Sequence, residues 1–199
     1  MADHYYTDKP TSESNRTTYT TTISGEMFRF TTDAGVFSKN DLDFGTRVLV
    51  EALDISDGDS VLDVGCGYGP IGLYVAKTYP EKQVWMIDVN ERALSLAEEN
   101  AAQNNVQNVH IKKSYLFEQV EKKDFSTIIS NPPIRAGKAV VHQLFEDAYA
   151  HLAPGGELWI VIQKKQGAPS ALDKLASIFA DVEVVTKKKG YFIIQAKKS

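Results

Sequence analysis

The chain has 199 residues with 43% hydrophobic content, which suits one ordinary domain with a short extension. Its net charge of -4 argues against a general nucleic-acid binder, and a lone cysteine with four scattered histidines excludes an internal disulfide and gives no metal-ligand spacing. The start lacks the segments of a signal peptide, and no apolar stretch is long enough to span a membrane, so we expect a cytoplasmic protein.

The N-terminal part predicts a small unit that precedes the main domain. Two strand-like runs around a glycine predict a hairpin, and a helix follows: Thr17–Ser24, Glu26–Thr32 and Asp41–Leu53. We therefore divide the chain into an extension, residues 1–40, that packs on the core, and a main domain, residues 41–199.

From residue 58 onward, short strand patterns alternate with helical patterns. The predicted strands are Ser60–Val64, Val84–Asp88, Val109–Lys112, Thr127–Ser130, Glu157–Gln163, Asp181–Thr186 and Tyr191–Lys197. The predicted helices are Ile71–Lys77, Glu91–Gln103, Ala139–His151 and Pro169–Phe179. This alternation predicts an α/β, Rossmann-like doubly wound fold. Its seven-stranded sheet is mostly parallel and ends in an antiparallel hairpin, because the last two strands are joined by a short turn.

A glycine-rich turn, residues 65–70, follows the first strand of this domain and leads into a helix, an arrangement typical of ligand binding. Asp88 ends the next strand, 19 residues after Gly69, where a carboxylate accepts ribose hydroxyls. The Gly-x-Gly-x-Gly spacing and the nearby Asp63, which would repel a pyrophosphate, argue against a dinucleotide. S-adenosylmethionine, a cation without phosphate, fits this charge better than NAD. An ordinary structural carboxylate is the alternative for both aspartates.

Cys66 lies inside the glycine-rich turn. Because no histidine is near it in the sequence, a small packed residue in the cofactor-binding turn is favoured over a nucleophile.

The strand Thr127–Ser130 stops at Asn131, which is followed by two prolines. Prolines fix their own φ, remove N–H donors and keep the preceding residue out of the helical region, so Asn131 is expected to be extended. Its side-chain oxygen and the Pro132 carbonyl then face a group with two N–H bonds, such as the exocyclic amine of a base.

These segments together resemble the class I S-adenosylmethionine-dependent methyltransferases that modify amino groups. Residues 4–10, 35–45 and 131–138 are similar to the small-subunit ribosomal RNA guanine-N2 methyltransferases, here in a single-domain form. The resemblance implies S-adenosylmethionine as cofactor and ribosomal RNA or the small ribosomal subunit as partner. The best-known members carry two methyltransferase-like halves, and a homodimer is one way to replace the missing half.

The resemblance also implies roles for particular residues. The cofactor-binding set is Asp63, Gly65, Cys66, Gly67, Asp88, Val89 and Asn131. The catalytic pair is Asn131 with the Pro132 carbonyl, and the substrate-binding set is Pro133, Ile134, Arg135 and Lys138. Phe37 either packs over the cofactor or belongs to the core. Arg135 and Lys138 either hold RNA phosphates or lie in a solvated loop.

Three residues depart from the pattern of relatives. Tyr115 follows Ser114 where many relatives carry an aspartate near the adenine, and Ser126 stands where an aspartate is common, five residues before Asn131. Ile134 replaces the aromatic residue that stacks on the target base in many amino methyltransferases. Adenine N6 and a protein glutamine amide therefore stay open as targets, since both present an amino group. A nicotinamide oxidoreductase and a non-catalytic RNA-binding module are the alternatives from other classes.

Charge is unevenly distributed along the chain. Residues 1–110 carry 8 basic and 17 acidic side chains, whereas residues 111–199 carry 14 basic and 9 acidic ones. The basic part holds the lysine runs Lys112-Lys113, Lys122-Lys123, Lys164-Lys165, Lys187-Lys188-Lys189 and Lys197-Lys198. Such lysines meet phosphates if the fold gathers them, and otherwise form an ordinary solvated surface.

Overall fold

The computed structural model describes residues 9–36, 41–55 and 57–199. Its strands are β1 Thr17–Ile23, β2 Glu26–Thr32, β3 Ser60–Val64, β4 Gln83–Asp88, β5 Val109–Lys113, β6 Phe125–Ser130, β7 Leu152–Gln163, β8 Asp181–Lys188 and β9 Tyr191–Lys197. Its helices are α1 Phe44–Ala52, α2 Pro70–Thr78, α3 Glu91–Gln103, α4 Lys138–His151 and α5 Ala168–Ile178. Short 3₁₀ turns cover Ile134–Ala136 and Lys164–Gln166.

Seven of these strands form one sheet in the order β5-β4-β3-β6-β7-β9-β8, and β1 and β2 form a separate hairpin. Strands β3 to β7 are parallel, whereas β9 runs antiparallel to both β7 and β8. The predicted α/β fold is therefore confirmed. The strand order reverses between β3 and β6, and a crevice opens at the carboxyl ends of strands at such a point.

The sheet is buried on both faces. Val61 and Ile129 belong to a hydrophobic cluster with α1, α2 and α3, whereas Leu62 and Ile128 belong to a second cluster with α4 and α5. Successive residues of a strand point to opposite faces, so continuous apolar runs suit strands that are covered on both sides.

The N-terminal hairpin packs against the main sheet's helices. Phe28 is fully buried, and the Tyr19 hydroxyl hydrogen-bonds the hydroxyl of Tyr68 in the glycine-rich turn. The Asn100 side chain on α3 accepts from Thr31 N (2.8 Å) and donates to the carbonyl oxygens of Thr31 (3.0 Å) and Tyr68 (2.9 Å). One buried amide thus ties the hairpin, α3 and the glycine-rich turn together. The division at residue 40 stays a prediction.

Strand β7 begins five residues before its predicted start at Glu157. Phe125 pairs with Leu152, and the next pair along joins Thr127 to Glu157. The excursion, residues 153–156 of β7, therefore lies opposite the single residue Ser126 of β6. The excursion contains Pro154 and two glycines, which do not follow a strand pattern. Within the described ranges, no helix is both long and apolar enough to cross a membrane.

Candidate active site

The glycine-rich turn and the Asn-Pro-Pro segment start side by side at the crevice. Val64 and Ser130, the last residues of β3 and β6, are paired in register, and Ser130 Oγ donates to the Val64 carbonyl oxygen at 2.9 Å. Gly65 and Asn131 come directly after them. The structure therefore brings together two motifs that lie 66 residues apart in the sequence.

The glycine-rich turn offers bare backbone to the crevice. Gly65 and Gly67 have φ values of +72° and +57°, and a Cβ added at either position would meet no atom within 4 Å. The N–H groups of Gly65 and Cys66 both donate to the Ile87 carbonyl at 2.9 Å, which fixes the turn against β4. Glycine at these positions allows the backbone conformation and leaves space for a ligand.

Asp63 is fully buried, and one of its carboxylate oxygens has no partner. Oδ2 accepts from Gly72 N at 2.9 Å near the start of α2, whereas Oδ1 contacts no hydrogen-bond donor in the described structure. Burial raises the pKa of Asp63 to about 7, against the lowering effect of the Gly72 bond and with a smaller contribution from Asp88. A buried, unpaired carboxylate oxygen suits a cationic donor.

Asp88 lies at the carboxyl end of β4 with both oxygens held by backbone. Oδ2 accepts from Gly67 N and Oδ1 accepts from Asn90 N, each at 2.8 Å. Burial raises the pKa of Asp88, and the backbone bonds oppose this rise. Each carboxylate oxygen has a second acceptor site, so the group is able to accept two hydroxyls.

Two pockets meet at this point and form one crevice. The first pocket, of about 610 Å³ with the solvent at its mouth, lies over Gly67 and the start of α2. The second pocket lies beside Val89 and Pro133. Gly65, Asp88 and Asn131 line both pockets. The crevice therefore continues from one pocket into the other, past a carboxylate and an amide that line both.

The Asn131 amide is held in one orientation. Its Nδ2 donates to Asp43 Oδ2 at 3.3 Å and to Thr46 Oγ1 at 3.2 Å. Because a carboxylate only accepts, the amide nitrogen must face Asp43. The same Asp43 oxygen accepts from Thr46 N at 3.0 Å and caps α1. The Asn131 oxygen accepts no hydrogen bond from the described residues and is free to meet a donor.

Sequence reasoning missed Asp43 and Thr46 as site residues. An aspartate that precedes a helix by one position is a recognisable N-cap, and Thr46 has the matching N3 position. That signal explains the helix start alone, because the contact with Asn131 spans 88 residues and depends on the tertiary fold.

The residues after Asn131 spread over different parts of the site. The Pro132 carbonyl accepts from Ile134 N at 2.9 Å, which closes a tight turn around Pro133 and leaves one acceptor site on that oxygen. Pro133 lines the second pocket beside Val89, whereas Ile134 and Lys138 line a third pocket between α4 and α5. Arg135 is exposed.

The other predicted residues have clear positions. Cys66 lines the first pocket as a buried thiol, and burial raises its pKa, so packing suits it better than nucleophilic attack. Ser114 and Leu116 line the second pocket, whereas Tyr115 between them is 40% exposed. Phe37 lies outside the described residues.

Comparison with known proteins identifies the family. The family model for the methyltransferase small domain matches residues 27–195, which is most of the chain. The chain belongs to the methyltransferase small domain family. The predicted resemblance to S-adenosylmethionine-dependent methyltransferases is thereby confirmed.

Two curated proteins are similar to this chain in sequence. It is 53% identical over 200 residues to "Uncharacterized protein YbxB" of Bacillus subtilis, with the full length of both chains covered. It is 37% identical over 163 residues to ribosomal RNA small subunit methyltransferase C of Pasteurella multocida. That match covers 80% of this chain and 49% of the relative, so the chain spans about half the length of that methyltransferase.

A solved structure matches the fold closely. The Thermus thermophilus 16S rRNA N2 G1207 methyltransferase, in complex with AdoMet and guanosine, superposes with a TM-score of 0.83 at 25% sequence identity. The match covers 96% of this methyltransferase small domain protein and 52% of the Thermus chain. The predicted Rossmann-like methyltransferase fold is confirmed by this similarity.

Proposed function

We propose that this protein transfers a methyl group from S-adenosylmethionine to guanine N2 in small-subunit ribosomal RNA. The observation that carries the proposal is the Asn131 amide, whose oxygen is presented at a crevice that the glycine-rich turn and the buried Asp88 also line. The relatives named above support the cofactor and the RNA target. Ribosomal RNA as partner is in keeping with a cytoplasmic protein.

The cofactor end of the crevice fits S-adenosylmethionine. The unpartnered Oδ1 of Asp63 matches an ammonium group, and Asp88 has acceptor sites for the two ribose hydroxyls. The second pocket beside Val89 and Leu116 offers apolar surface for an adenine. When bound, S-adenosylmethionine supplies a methyl group made electrophilic by its sulfonium. The open space above Gly65 leaves room for it.

The target end would orient a weak nucleophile. The lone pair of guanine N2 is delocalised into the ring, so the amine needs orientation more than it needs a base. Asn131 Oδ1 and the free acceptor site of the Pro132 carbonyl would each accept one N–H of the amine. Those two bonds draw the nitrogen toward tetrahedral geometry and direct its lone pair to the cofactor end. Asp43 and Thr46 act as positioning residues, and the amine proton leaves to water.

Adenine N6 and a protein glutamine amide carry the same NH₂ group and are the nearest alternative targets. Guanine is favoured by the similarity of residues 4–10 and 35–45 to the guanine-N2 enzymes. A non-catalytic RNA-binding module is disfavoured, because such a module has no use for an amide held by two side chains at a buried crevice.

The test is methyl transfer from labelled S-adenosylmethionine to unmodified small subunits, unmodified large subunits and naked 16S RNA. Nucleoside digestion and mass spectrometry then identify the product. We expect N2-methylguanosine in small-subunit RNA. Label in adenosine, in protein or only in the large subunit contradicts the proposed target, and absence of label from every substrate contradicts the activity. Light scattering on the same sample tests whether the protein forms the homodimer that would replace the missing half.

A further inference from the structure

Seven cations at the carboxyl edge of the sheet, in its connections and at the adjoining ends of α4 and β8, are exposed and form no ion pair with a carboxylate of the described residues. We call them the basic rim: Arg135, Lys138, Lys164, Lys165, Lys187, Lys188 and Lys189. Several cations elsewhere on the surface are paired: Arg16, Lys113 and Lys174 each pair with a glutamate. The rim is therefore a concentration of positive charge that the described part of the protein leaves uncompensated.

Two loops of the rim are held against each other. Gln163 at the end of β7 pairs with Tyr191 at the start of β9, and Lys164 N donates to the Gly190 carbonyl at 2.9 Å. The short segment Lys164–Gln166 thus lies against the β8–β9 turn, which carries the lysine triplet. Lysines that are 20 or more residues apart in the sequence become neighbours in this way.

The rim reaches the target end of the crevice on two sides. On one side, Lys189 Nζ lies 5.0 Å from the centre of the Phe44 ring, and Phe44 follows Asp43, which holds the Asn131 amide. On the other side, the third pocket is lined by Ile134 and Lys138 from the segment after β6 and by Gln166 from the segment after β7. Positive charge therefore borders the site where the target amine is expected.

We propose that the basic rim binds the phosphates of the RNA strand on either side of the methylated base. This inference rests on the proposed function, since it takes the Asn131 amide as the place of the target base. Binding of phosphates to such a cluster releases counterions, and no internal ion pair must be broken first. Lysine side chains supply position and affinity without reading sequence, which leaves base recognition to the crevice.

The experiment compares two double variants that remove the same amount of charge. Lys164→Gln/Lys165→Gln removes two rim lysines. The matched control, Lys123→Gln/Lys197→Gln, removes two exposed lysines from the opposite edge, where β6 begins and β9 ends. Binding of a fluorescently labelled single-stranded RNA is measured over a series of salt concentrations, and calorimetric binding of S-adenosylmethionine verifies that each variant is folded.

We expect the rim variant to bind RNA about tenfold more weakly at low salt. The slope of log affinity against log salt should fall by about 0.7 for each RNA phosphate that the variant no longer neutralises. The control should stay within about twofold of the wild type. Equal weakening of RNA binding in both variants, or unchanged binding in both, overturns the proposed role of the rim.

The labelling assay separates this inference from the proposed function. If the wild type methylates small-subunit RNA but the rim variant binds RNA like the control, the proposed function is kept and the proposed role of the rim is rejected. If the rim variant binds RNA more weakly than the control but the wild type does not methylate ribosomal RNA, the role of the rim is kept and the proposed function is rejected.

Discussion

The glycine-rich turn and both aspartates of the proposed cofactor end come from one stretch of chain, whereas the proposed target end is assembled from segments far apart in sequence. Residues 63–88 supply the glycine-rich turn and both buried aspartates, and three of the four carboxylate oxygens accept backbone N–H groups. At the target end, Asn131 is half-buried and held by side chains 85 and 88 positions earlier. Backbone fixes the first end, and a small side-chain network fixes the second.

The largest expected effect comes from Asn131→Ala, which should impair the target end and leave the cofactor end unchanged. Loss of the oriented acceptor should lower kcat by about a thousandfold. S-adenosylmethionine affinity should change by no more than about twofold, because Asp63 and Asp88 stay in place. The measurements are kcat with small-subunit RNA and the calorimetric Kd of the cofactor. Gln143→Ala, an exposed amide on α4, is the control. Near wild-type turnover in Asn131→Ala rules out the proposed role.

The next effect concerns the cofactor end and depends on pH. The pKa of Asp63 is about 7 in the folded protein, so its carboxyl keeps a proton below that pH. An ammonium ligand prefers the carboxylate, so binding must release this proton. Cofactor affinity should therefore rise about tenfold from pH 6 to pH 7.5 and then level off. Calorimetry in buffers of different ionisation enthalpy measures both the affinity and the proton release.

The same raised pKa predicts how stability depends on pH in the cofactor-free protein. An aspartate in the unfolded chain has a pKa of about 4, so between about pH 4 and pH 7 the folded state binds one more proton than the unfolded state. The contribution of Asp63 to the free energy of unfolding therefore falls as pH rises through this window. Asp63→Asn should abolish the dependence in both experiments. A variant that keeps the full pH dependence shows that another group, such as Asp88, is responsible.

The smallest effect tests the network that holds the target end. Asp43→Ser keeps an N-cap for α1 but shortens the side chain, so the bond to Asn131 is lost. Loss of one such hydrogen bond, about 1 kcal/mol, should lower kcat about fivefold with little change in cofactor Kd. Asp43→Asn keeps an acceptor of the same length and should restore most of the rate. A purely structural role predicts loss of thermal stability with both variants and no selective effect on kcat.

Much of the fold and the cofactor end could be predicted because their signals are local. The run Ser60–Val64 is fully buried and apolar except at Ser60 and Asp63, and the following glycines mark the turn at the end of β3. Asn90 caps α3 as its residue type predicted. Each of these features is decided within a few residues of chain.

The target end could not be fully predicted, because its geometry depends on tertiary contacts. Asp43 is recognisable as a helix cap, and nothing in its neighbourhood indicates Asn131 as a second partner. Ile134 directly follows the Asn-Pro-Pro segment, yet a tight turn carries it into the third pocket. The grouping of the lysine runs depends on the pairing of β7 with β9. The roles proposed for these residues stay predictions until they are measured.

The position of Cys66 determines whether its thiol is at risk of methylation by the proposed cofactor. This single cysteine lies in the wall of the first pocket, next to where the reactive methyl group is proposed to lie. A thiolate there would compete with the RNA base for that methyl group, because the thiolate is the nucleophilic form. Burial, reinforced by Asp88 and Asp63, raises the pKa of Cys66 and keeps the sulfur protonated. The carboxylates that we propose to bind the cofactor therefore also disfavour the reactive, thiolate form of this cysteine.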